Sequence, residues 1–358
     1  MKQSFTVRAL LSVLMIGYTT TLVARECNTG CGPQSVFTTS PEYRADIEFR
    51  ALFFKPTGSN LYYAAEAHPL PIESPNWFVH EVKPTYHFGF DIGFHGVIHR
   101  VNASIGLNWE HFNSNDSHTF AVTDENDFVG PFFEIGPDST LYKQAYGQKR
   151  FHFDLIDLTF GQYVQLGDRF HANLFCGIAA ARIRQSNYAV YSNVDGTIIR
   201  SITAPSTFAG AGPECGACYW YDIACGVQLA GKTVPSLLMG TLKNKTTYNS
   251  ISPELPLLGV PTPNTQIITV PNRNQVVPGF TQTLEFAYSY DRCNYEGRIA
   301  LGYQIQLYID AIQSVDMGSE VVTPAVPVES VGVFARTFLR TRSNFGLAGP
   351  YLAFKLGF

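Results

Sequence analysis

Arg44, Asp46, Glu48 and Arg50 stand two residues apart, and Tyr43, Ala45, Ile47, Phe49, Ala51 and Phe53 fill the alternate positions. Ionic groups at period two share one face of an extended strand. Such a face can line water, pair with charges across a cavity, or set the ion preference of a pore. The same rhythm sets His87, Asp91, Arg100, Glu110, Glu285, Glu296, Arg298 and Gln304 opposite apolar neighbours. These residues form the candidate lumen-lining set.

Other chemistry finds little support. No HExxH, GxSxG, P-loop or EF-hand pattern occurs, so no enzyme is expected. His95 and His99 flank a tight turn, where imidazoles more often meet solvent than a metal. Asp124-Glu125-Asn126-Asp127 reads as a solvated acidic loop. No metal and no cofactor are predicted. The cysteines are seven, an odd number in a chain that carries an export signal. Cys27, Cys31, Cys215, Cys218, Cys225 and Cys293 are the disulfide candidates, within the chain or between chains. Cys215-Gly-Ala-Cys218 resembles half a zinc site, but no second pair follows at the usual spacing.

The elements that must carry the charged faces are strands. Tyr86, Phe88, Phe90, Ile92 and Phe94 alternate with polar or small residues, as do Val101 to Trp109, Leu284 to Tyr290 and Tyr295 to Ile309. A helix would scatter both sets around its circumference. Charged residues are only 15% of the chain against about 25% in soluble domains, while aromatics reach 14%. A formal net charge of −4 provides no basic field for nucleic acid. Outward apolar faces of 9–11 residues fit a membrane strand, with Tyr43, Phe53, Trp109, Tyr290 and Tyr295 as interface aromatics. A soluble sandwich is the rival, expected to show shorter strands and more surface charge.

Residues 1–24 read as a secretory signal, with Lys2 and Arg8 before an apolar run too short to span a bilayer. Residues 25–41 then form a periplasmic segment and 42–358 a transmembrane β-barrel in a Gram-negative outer membrane. The tracing is 42–54, 84–95, 99–112, 150–165, 169–185, 205–219, 224–242, 280–291, 294–310 and 344–358. That makes an all-β, antiparallel barrel of about 10–12 strands, with 331–342 as the source of an extra pair. Short links face the periplasm, and 55–83, 113–149, 186–204, 243–279 and 311–330 are long external loops. Leu352, Phe354, Leu356 and the terminal Phe358 alternate on the last strand, as in the signal read by barrel-insertion machinery.

Phe208-Ala-Gly-Ala-Gly-Pro213 with Gly216, Ser236-Leu-Leu-Met-Gly240, Ile299-Ala-Leu-Gly-Tyr-Gln304 and Gly346-Leu-Ala-Gly-Pro-Tyr-Leu352 follow in order. Asp154-Leu-Ile-Asp157 with Gly161, and Gly177-Ile-Ala-Ala-Ala-Arg182, precede them. Over residues 40–358 the chain resembles the pore-forming outer-membrane proteins typified by the Legionella major outer-membrane protein, a family also found in chlamydia-like bacteria. The resemblance implies a channel for small hydrophilic solutes or ions. The alternative is a structural or adhesive surface barrel with a largely plugged lumen. Implied partners are outer-membrane lipid and lipopolysaccharide, the assembly machinery, and further copies or disulfide-linked envelope proteins.

Inward charges of both signs predict either weak ion selectivity or a cross-lumen network of ion pairs that narrows the bore. Segment 113–149 or 243–279 folding inward would constrict it further.

Overall fold

The computed structural model describes residues 43–58, 60–68, 76–98, 101–124, 127–131, 142–167, 169–224, 226–251, 262–292, 295–322 and 332–358. Ten long strands build the wall: β1 (Tyr43–Gly58), β4 (His87–Ile98), β5 (Ala103–Ala121), β7 (Gln144–Gln165), β8 (Phe170–Ser192), β9 (Ile199–Ala224), β10 (Val227–Ile251), β12 (Arg273–Arg292), β13 (Tyr295–Val322) and β14 (Gly332–Gly357). Each pairs antiparallel with the next, β14 pairs back onto β1, and β9 joins β10 to complete the ring. The seam also holds the chain end: Ala45 and Phe358 exchange backbone hydrogen bonds of 3.2 and 3.0 Å. Closure leaves no unpaired edge to face hydrocarbon.

Crossing the sheet from partner to partner from Asp46, the path visits His95, Gly106, Thr159, Gly177, Glu214, Ser236, Gly279, Tyr308 and Phe345. It returns to β1 at Gly58, twelve residues beyond its start. Ten strands with that stagger tilt by about 40° and enclose a backbone radius of about 10 Å. A bore of that size is within reach of side chains from opposite walls.

Outward residues confirm the expected phase. Phe49, Leu107, Phe160, Ile178, Phe286, Leu301, Ile305 and Phe354 are all exposed. On β13 this apolar face runs from Ile299 to Ile309, a band about 25 Å tall at the strand tilt. So much contiguous apolar surface fits lipid, not water. Links at one end are short. Asn102 at φ 52° turns β4 into β5, and Gly226 at φ 72° turns β9 into β10. Both positions need the left-handed region that Gly and Asn tolerate best.

The other end departs from the expected loops. The strands continue well past the apolar band, so β8 and β9 are joined only by residues 193–198. Residues 332–342 extend β14 and pair with β13, and do not add a further pair of strands. Beyond the band the outer face no longer meets lipid, so the clean apolar–ionic alternation fades while backbone pairing persists. Among the described residues, four short strands complete the fold. β11 (Asn264–Thr269) extends the wall beside β10, and β2 (Tyr62–His68), β3 (Asn76–Glu81) and β6 (Phe128–Pro131) form a separate sheet.

Candidate functional site

The interior of the barrel is the site, and it is divided into tiers. Inward residues of the half toward the short turns are ionic. Asp46, Glu48, Asp91, Glu110, Asp157, Glu214 and Glu285 are all at most 8% exposed. Facing these seven carboxylates among the described residues are four cations on the same inner surface, Arg50, Lys232, Arg298 and Lys355. Arg50 Nε donates to Glu48 Oε1 at 2.6 Å, and its Nη1 lies 3.6 Å from Asp91 Oδ2. Lys355 Nζ reaches Asp46 Oδ2 at 2.8 Å beside the β1–β14 seam. Glu285 receives Arg298 Nη2 at 2.7 Å and the Tyr351 hydroxyl at 2.6 Å. Gln304 and Gln306 on β13 donate to Glu110 Oε2 on β5 at 3.2 and 2.8 Å. β13 and β5 stand four strands apart in a ring of ten, so these bonds cross the lumen.

A cavity remains among Arg50, Asp91, Glu110, Asp157, Glu214 and Lys232. Asp91 Oδ1, Glu110 Oε1, Gln304 Oε1 and Gln306 Oε1 are buried without a protein donor, and their residues line it. Buried polar atoms of this kind call for water or ions.

Above the cavity the inner surface turns apolar. Leu52, Phe54, Phe112, Phe151, Phe153, Ile183, Phe208, Leu238, Val277, Tyr308, Phe345 and Leu347 are at most 2% exposed and form one cluster. The rings of Phe153 on β7 and Phe345 on β14 stack with centroids 5.6 Å apart. Phe153 also meets Tyr308 at 5.5 Å, and Phe151 meets Phe345 at 6.1 Å. β7 and β14 are four strands apart, so the aromatic side chains meet across the bore and shut it.

The β2–β3–β6 sheet adds a third tier at the outer mouth. Tyr63, Ala64, Val82 and Val129 pack with Ala145, Tyr191, Ile202 and Tyr248 of the wall. The Tyr191 hydroxyl donates to the Tyr63 carbonyl, and Lys149 Nζ donates to the Asn60 carbonyl at 3.0 Å. Gly147 makes room for this: a Cβ there would run into the Tyr63 ring. The segment that enters the mouth is thus the first external one, joined by β6. Residues 113–121 and 144–149 are wall instead.

Among the sequence candidates, Asp46, Glu48, Arg50, Asp91, Glu110, Glu285, Arg298 and Gln304 all sit on the inner surface of the ionic tier. Glu296 is half-buried at the turn end of β13. His87 lies outside this tier, toward the mouth, 3.0 Å from Asp116 Oδ1. The Arg44 side chain and residue Arg100 lie outside the described residues, as do Cys27, Cys31, Cys225 and Cys293.

Asn108, Asp157, Glu214, Lys232 and Lys355 were missed, along with the aromatic tier. A signal for that tier exists in β7. Its apolar residues occupy even positions over Ile156, Leu158 and Phe160, then odd positions over Phe151, Phe153 and Leu155. That phase flip marks where lipid contact ends outside and apolar filling begins inside.

His95 lies in the lumen 3.9 Å from Glu48 Oε2, and His99 is outside the described residues. The histidines that converge are others. His111 Nδ1 and His152 Nε2 lie 2.7 and 2.8 Å from the two Asp154 oxygens, on the outer face beyond Trp109 and Ile156.

A closed ten-stranded antiparallel barrel with an apolar waist and an ionic interior is an outer-membrane protein of the Gram-negative type. The chain belongs to the family of the Legionella pneumophila major outer membrane protein precursor, whose model matches residues 39–358. No curated protein matches it by sequence.

Among solved structures it is similar to the outer membrane protease OmpT of Escherichia coli. The identity is 8% over 91% of this chain and 99% of that one, with a TM-score of 0.36. A FadL homologue of Pseudomonas aeruginosa gives 7% over 88% and 90%, TM-score 0.27. The Pseudomonas putida toluene transporter TodX gives 7% over 90% and 91%, TM-score 0.24. Likeness this faint transfers neither activity nor substrate.

Proposed function

We propose that the protein is a channel for passive movement of small hydrophilic solutes or ions, shut in the state described here. The observation that carries this reading is the carboxylate-rich chamber within the membrane, closed toward the mouth by the aromatic tier and the small β2–β3–β6 sheet above it. Among the described residues, seven carboxylates against four cations favour cations inside a low-dielectric wall. In this reading outer-leaflet lipopolysaccharide surrounds the apolar band, the assembly machinery inserts the barrel, and no catalytic step is involved.

The test is planar-bilayer recording of the native protein and of the Phe153→Ala/Phe345→Ala double variant. Native protein is expected to open rarely, and the double variant to give frequent steps whose reversal potential favours cations. The reading fails if both stay silent although each shows the gel-mobility shift on boiling of a folded barrel. A structural or adhesive surface barrel would then stand, a second reading favoured by the Phe153–Phe345 contact across the bore.

A further inference from the structure

Two sulfurs distant in sequence meet in the wall. Cys176 on β8 and Cys215 on β9 are direct partners in the register. Their Sγ atoms lie 2.7 Å apart, inside ordinary van der Waals contact. Both side chains are exposed on the outer face, Cys176 between Leu174 and Ile178, and Cys215 between Pro213 and Ala217. By register this places the pair near mid-height of the apolar band. Cys218 stands three residues beyond Cys215, on the opposite face of β9, and cannot compete for it.

We propose that Cys176 and Cys215 form an intrachain disulfide that staples β8 to β9 on the lipid-facing side. Opposed residues on antiparallel strands have Cα atoms about 4.5–5.5 Å apart, within the range a disulfide spans. Closing from 2.7 Å to a bond of about 2.05 Å needs only small χ1 changes.

The reaction is thiol–disulfide exchange with a periplasmic oxidant that carries a disulfide. One cysteine thiolate attacks that disulfide and expels one oxidant sulfur. The second cysteine then attacks the mixed disulfide, and the Sγ–Sγ bond forms as the oxidant leaves as a dithiol. Both thiol protons and both electrons end on the oxidant.

Exchange must precede insertion, because water-borne oxidants do not enter hydrocarbon. The β8–β9 hairpin suits that order. Its pairing runs unbroken from Ser192 with Ile199 to Phe170 with Tyr221 across a six-residue turn, so it closes by local contacts. Once inserted, the bond is shielded from reductants by the same lipid. None of this depends on whether the lumen conducts.

The test uses outer membranes prepared without reductant, denatured in guanidinium with N-ethylmaleimide and digested with trypsin. Peptide 170–182 should appear joined to peptide 201–232, with fragmentation placing the link on Cys215 and not on Cys218 or Cys225. Treating intact membranes with a water-soluble reductant should leave the joined peptide in place, while reduction after denaturation should release the two peptides with new thiols at Cys176 and Cys215. Cells lacking the periplasmic oxidant should yield both peptides alkylated. Alkylated Cys176 and Cys215 in native membranes would overturn the proposal, as would a link from either to another cysteine or to a second chain.

Discussion

Lys355 stands at the seam where the last strand meets the first, and its Nζ lies 2.8 Å from an Asp46 oxygen in a carboxylate only 3% exposed. Removing one member of a buried pair costs more than removing both. Lys355→Met should therefore lower the guanidinium midpoint by the equivalent of roughly 3 kcal/mol, and Asp46→Asn/Lys355→Met should recover most of it. Equilibrium unfolding in detergent micelles measures both.

Lys149, above the apolar band, shows the opposite electrostatics. Burial at the mouth pushes its amine down to about 7, only partly opposed by Glu81. Between pH 7 and the ordinary lysine value the unfolded chain holds a proton that the folded one lacks, so stability rises with pH by up to about 1.4 kcal/mol per unit. The midpoint of native protein should rise from pH 7 to pH 9. In Lys149→Met that rise should shrink; an unchanged rise would assign it to other groups.

At the scale of elements, β2, β3 and β6 are too short to be stable alone and depend on the wall they enter. Gly147 is the contact that admits them. Gly147→Val would drive a methyl into the Tyr63 ring and push β2 out of the mouth. Protease added to intact outer membranes should then nick residues 60–83 several-fold faster, while the boiling shift of the barrel is unchanged. Equal nicking in native and variant protein would show that β2 is held from elsewhere.

The wall strands were legible in the sequence wherever lipid met one face and charge the other, as on β1 and β13. β7 and β8 were less so. Their apolar residues change face at Leu155–Ile156 and between Ile178 and Ile183, and a single-phase reading blurs such a change. Strand extensions beyond the band were read as loops because their outer face no longer meets lipid, which removes the alternation that reveals a strand.

For the whole molecule, stagger sets the consequence. A radius of about 10 Å lets phenylalanines of β7 and β14 touch, and a wider barrel with the same residues would leave them apart. Truncating Phe153 or Phe345 to Ala should cost about 3–5 kcal/mol of stability each. Any conductance gained in the double variant should thus accompany a lower unfolding midpoint, measured on the same preparation. A gain in conductance with no stability loss would mean the rings were not packed across the bore.

The sequence by itself determined which residues of the cleanly alternating strands, such as β1 and β13, face lipid and which face inward, and that about ten to twelve antiparallel strands follow one another with short links on one side and long ones on the other. A period of two and the cost of a charge in hydrocarbon are local facts, readable strand by strand. Only the tertiary structure decided that the lumen is shut, that Glu110 is held from the far wall, and that Cys176 rather than Cys218 faces Cys215. Those depend on which side chains of separate strands arrive at the same height, and height is set by register and shear, which no single strand's pattern carries.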